Sequence, residues 1–60
     1  MRGAGMTLAD LIQLVSYKLA ALNSARASAV AVGDLNQVVS LDAQISQTQI
    51  TLDQLRSLNG

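Results

Sequence analysis

Among its 60 residues the chain has no cysteine, histidine, proline, tryptophan or phenylalanine, and Tyr17 is its single aromatic residue. Without cysteine no disulfide can staple the fold, and without cysteine and histidine there is no ordinary zinc site. The same two absences remove the usual nucleophile, general base and soft-metal ligands. The serines have no base beside them in sequence, and Lys18 stands in no Ser-x-x-Lys spacing. Asp10, Asp34, Asp42 and Asp53 are too dispersed to form a carboxylate cage for a hard cation. No catalytic residue, cofactor or metal is therefore expected, and the chain reads as a non-enzyme.

Charge is also scarce. Four basic and four acidic residues give a formal net charge of +0, and they are scattered. No patch is available to neutralise a phosphate backbone, which argues against nucleic acid as a partner. Long apolar runs are missing as well. Asp10, Gln13 and Lys18 interrupt the apolar stretch after Arg2, so neither a membrane span nor a secretory signal is expected.

What is present is helical periodicity broken at one interior point, Ala31-Val32-Gly33-Asp34-Leu35-Asn36-Gln37. Gly33 can take the left-handed conformation that closes a helix. Asp34 is a good N-cap, and Gln37 three residues later completes an Asp-x-x-Gln capping box. One helix ends and another starts within two residues, so the two must fold back antiparallel. Arm, helix and turn boundaries follow: residues 1–6 as a mobile arm, helix 1 over about 8–32, the turn at 33–34, and helix 2 over about 35–58, ending at Asn59-Gly60. Each helix has about 24 residues and is roughly 36 Å long.

Helix 1 opens with Thr7 as N-cap, Asp10 at its third position, and Met6 and Leu11 placed for a hydrophobic staple. Leu8, Leu11, Ile12, Val15, Leu19, Leu22 and Ala29 form an apolar stripe. Ala25 lies near this stripe and Arg26 sits at its centre. A turn at Gly33-Asp34 brings Arg26 level with Leu41 and Asp42, which points to an Arg26–Asp42 pair; the alternative is that Arg26 reaches past the small alanines to water. In helix 2, Val38, Leu41, Ile45, Thr48, Leu52 and Leu55 alternate spacings of three and four, a short heptad run that Leu35 and Leu58 extend. Arg56 is placed to reach Asp10 across the hairpin.

Each helix carries more apolar surface than one partner helix covers. Leu14, Ala21 and Val32 lie off the stripe of helix 1, and Val39, Ala43 and Ile50 form a second line on helix 2. With Tyr17, the residues Leu14, Ala21, Val39, Ala43 and Ile50 are the candidate contacts to further chains. A chain this short buries only about 60% of its unfolded surface, and with no staple available, oligomerisation or docking is the remaining route to stability. Gln37, Gln44, Gln47, Gln49 and Gln54, with Ser40, Ser46, Thr51 and Ser57, coat the rest of helix 2.

The Thr7-Leu-Ala-Asp-Leu start, the alanine-rich run into Ala-Val-Gly-Asp-Leu, and the Leu-Asp-Ala-Gln-Ile and Leu-Asp-Gln-Leu segments resemble small helical-hairpin proteins of tailed bacteriophages, some of them accessory virion components. Helix 2 departs from that pattern in being rich in Gln and Ser where such hairpins carry Glu and Arg. In length and layout the chain is also similar to the Rop family of plasmid RNA-binding regulators, whose basic and aromatic RNA-binding face has no counterpart here. The reading is an all-α antiparallel hairpin, oligomeric or docked in a larger assembly. The phage resemblance implies a minor virion component, made in the host cytoplasm and packed against itself or larger virion proteins. The alternative is a Rop-like regulatory module acting on RNA or a partner helix.

Overall fold

The structure is a computed structural model that describes residues 5–59; Met1–Ala4, most of the expected arm, and Gly60 lie outside the described residues. Two helices, α1 (Leu8–Val32) and α2 (Leu35–Asn59), pack against each other as an all-helical hairpin. Asn59 therefore belongs to α2, one residue beyond the sequence-based boundary.

Both ends of α1 are closed by identifiable bonds. At its start the Asp10 amide donates to Thr7 Oγ1 at 3.1 Å and the Thr7 amide to Asp10 Oδ2 at 3.3 Å, a reciprocal capping box. At its end Gly33 adopts φ 74°, ψ 24°, the left-handed region. The Gly33 amide donates to Val30 O at 3.1 Å and the Asp34 amide to Ala29 O at 2.9 Å. This is the Schellman closure, in which the two residues after the helix satisfy carbonyls that the last turn leaves open.

The turn corrects one expectation. Asp34 does cap α2, since the Gln37 amide donates to Asp34 Oδ1 at 3.1 Å. The Gln37 side chain does not complete a box, because the Asp34 amide it would accept from is already spent on Ala29. One donor cannot close both helices, and the Schellman bond takes it.

Packing follows a single line on each helix. In α1 the buried and half-buried positions are Leu8, Ile12, Val15, Leu19, Leu22, Arg26 and Ala29, with Ser16 beside them. In α2 they are Val38, Leu41, Ile45, Thr48, Leu52 and Leu55, with Thr51 beside them. Both lines alternate steps of three and four, the spacing that keeps one seam facing a partner helix. Leu11, Leu35 and Leu58, expected on the seams, lie off them; Leu35 and Leu58 are 74% and 75% exposed. Leu11 falls one step short of Ile12, and the heptad seam admits only one of the two. Among the described residues only Ala29, Leu41, Thr48 and Leu52 are buried.

The resulting body measures 49 × 25 × 12 Å. Its short dimension is about the diameter of one helix. Both broad faces of the hairpin are consequently open.

Two stability predictions follow from the turn and the seam. Nothing lies within 4 Å of a Cβ built on Gly33, so Gly33→Ala carries only the cost of its positive φ. The expected loss is about 1 kcal/mol in chemical denaturation followed by circular dichroism. Thr48→Val exchanges a hydroxyl for a methyl inside an apolar line, and the same assay is expected to show a gain of about 1 kcal/mol. A loss there means the hydroxyl is hydrogen-bonded across the seam.

Candidate assembly surface

Two tertiary features orient the flanks of the hairpin. On one side Arg26 Nε donates to Asp42 Oδ1, an ion pair between the helices. On the other a recess of about 140 Å³ is lined by Val15, Lys18, Gln47, Thr48 and Thr51. Steps of three, four and seven residues from these markers assign the remaining positions to a flank. The Asp42 flank holds Asn23 and Val30 on α1, and Leu35, Val39, Ser46, Gln49, Asp53 and Arg56 on α2. The Lys18 flank holds Leu11, Leu14, Ala21, Ala25, Ser28 and Val32 on α1, and Gln37, Ser40, Gln44, Gln54 and Leu58 on α2.

The structure brings Arg26 and Asp42 together at the level the turn dictates. Arg26 is half-buried, and its side chain and that of Asp42 keep 42% and 51% of their surface open to solvent. The pair therefore sits at the edge of the seam, where water screens it. The proposed reach of Arg56 to Asp10 is not made: among the described residues the inter-helix ion pair is Arg26–Asp42. The Asp10 carboxylate is turned back to the Thr7 amide, and the capping box holds it there.

Leu14, Tyr17, Ala21, Val39, Ala43 and Ile50 are all exposed. They do not form one surface. Leu14 and Ala21 lie on the Lys18 flank and Val39 on the Asp42 flank, while Tyr17, Ala43 and Ile50 occupy the outer ridges, away from the seam. Tyr17 Oη accepts a hydrogen bond from Gln13 Nε2 at 2.9 Å, one turn along α1, so its polar end is satisfied within the helix. Gln49 is similarly engaged with Asp53, donating from Nε2 to Oδ1 at 3.1 Å.

Leu11, Leu35, Leu58 and Val30 join the exposed apolar set. For Leu35 and Leu58 the signal was present in the step pattern: each stands three residues from the end of the α2 seam, where the alternation calls for four. The same count excludes Val30, one residue past Ala29, but admits Leu11, a step of three from Leu8.

Charge is segregated between the flanks. Asp42, Asp53 and Arg56 lie on the Asp42 flank, and Arg26 reaches toward it. Asp10 lies on the outer ridge of α1, and Asp34 caps the turn. Lys18 is the one charged residue of its flank among the described residues. No helix of the described chain is long and apolar enough to cross a membrane.

No known protein family, curated protein or solved structure matches this chain.

The Arg26–Asp42 pair yields a direct test. A double-mutant cycle with Arg26→Met and Asp42→Leu is expected to give a coupling energy below about 1 kcal/mol, shrinking with added salt. If Arg26→Met raises stability and leaves assembly unchanged, the pair has no part in fixing the register.

Proposed function

We propose that this chain is a non-enzymatic structural protein that works by helix–helix packing, as a minor component of a tailed-phage virion. One observation carries the packing part of this reading. The hairpin is one helix thick, and large apolar side chains such as Leu14, Val39 and Ile50 remain exposed on it. A seam between two helices covers one line of each, so the rest of the apolar surface is available to other chains. The virion part rests on the resemblance of the capped start and the Leu-Asp-x-x segments to phage hairpin proteins. Sparse charge supports the same assignment, since interface centres are depleted in charged residues.

The Rop-like alternative requires a basic surface for RNA. Among the described residues Lys18 stands alone on its flank, Arg26 is committed to Asp42, and Arg56 shares its flank with acids. These positions favour protein over RNA as the partner.

Mass spectrometry of purified particles from a phage encoding this chain is expected to detect it at constant stoichiometry. The purified chain is expected to associate with itself or with isolated capsid, neck or tail proteins. A stable monomer that binds none of these and is missing from the particles overturns the reading. An RNA mobility shift at low salt that fades as salt rises would replace it with the regulatory one.

A further inference from the structure

We infer that a second copy of this chain covers the Lys18 flank, making a four-helix body. This rests on the packing reading above and names the partner and the surface. The first argument is shape. The hairpin has a short dimension of 12 Å, one helix thick, so neither broad face is covered by a further helix among the described residues.

The second argument selects the face. Leu11, Leu14, Ala21, Ala25 and Val32 line its α1 half, interrupted by Lys18 and Ser28. Its α2 half is a row of neutral amides and hydroxyls running from Gln37 to Gln54. The opposite flank carries Asp42, Asp53 and Arg56, which are costly to strip of water unless each finds a partner. Only the Lys18 flank can be covered without burying an acid.

The third argument selects the occupant. A two-fold axis perpendicular to the helices lays α1 on its own copy and α2 on its own copy. Apolar then meets apolar and amide meets amide. A glutamine side chain is both donor and acceptor, so a row of glutamines is complementary to itself in a way that a row of acids is not. With a net charge of +0 the two copies do not repel at long range. A register centred on Asn23 keeps the two Lys18 residues about 15 Å apart along the helices and sets Leu14 against Val32, Lys18 against Ser28 and Ala21 against Ala25. The ammonium then reaches the rim along its own apolar stem. The recess beside Val15, Lys18 and Thr48 opens on the same face, where a side chain of the second copy can enter it.

The test is sedimentation equilibrium on the full chain over a wide concentration range, comparing the natural sequence with Leu14→Asp and Val39→Asp. Both positions are exposed in the hairpin, so circular dichroism is expected to show helix retained in each variant. The natural chain is expected to dimerise, Leu14→Asp to weaken dimerisation at least about tenfold, and Val39→Asp to leave it unchanged. If Leu14→Asp loses helix, thiol labelling decides. Because the chain has no cysteine, single Ala21→Cys and Ala43→Cys variants report each face alone. Labelling at position 21 should slow as concentration rises, while labelling at position 43 should not. A monomer at every concentration overturns the inference, as does self-association broken by Val39→Asp and untouched by Leu14→Asp. In either case, binding to a virion protein leaves the packing reading standing.

Discussion

The bond from the Asp34 amide to Ala29 O is the constraint on which the rest of the hairpin depends. It closes α1, holds Gly33 in the left-handed region, and delivers the chain directly into α2 with Asp34 as cap. No slack remains between the helices, so their relative level is set at the turn and carried down the hairpin by the helical rise. Arg26 meets Asp42, and Lys18 shares a recess with Gln47 and Thr51, because residues counted back from Gly33 fall level with residues counted forward from Asp34.

The second consequence of this geometry is insufficiency. Two helices touch along one line, and here the line is built from modest side chains, with Ala29 and Thr48 at two of its four buried positions. Small residues let the backbones approach, but each contributes little apolar area. A hairpin of this size has neither a third layer nor a disulfide to compensate. The exposed leucines, valines and isoleucine lie off the seam, where the partner helix does not reach them.

Charge placement gives that unused surface a direction. Among the described residues the acids and arginines lie at caps, at the seam edge and on one flank, which leaves the other flank neutral apart from Lys18. A neutral amide row has two useful properties for a protein that packs among copies or neighbours: it does not repel its like, and it hydrogen-bonds without a fixed polarity. A row of uncharged side chains matches the centre of a protein interface, which is depleted in charged residues.

The sequence by itself determined the elements and their ends. Thr7 with Asp10, Gly33, and Asp34 are local signals, resolved by backbone chemistry within a few residues, and they mark both helices and the reversal between them. The steps of three and four in Val38–Leu55 likewise determine the seam of α2, since side-chain direction on a helix is a function of position alone. Tertiary structure decided the competitions. Leu11 and Ile12 both lie near the stripe, and only the partner helix selects Ile12. The Asp34 amide has two prospective acceptors, and closing α1 selects Ala29. Asp10 and Arg56 are near the same level, but the capping box holds the carboxylate on the wrong side of α1. Most of all, the apolar residues off the seams share no single local pattern. Leu14 and Ala21 part from Val39 because the antiparallel crossing places equivalent helix sides on common flanks, and that pairing exists only once the two helices have met.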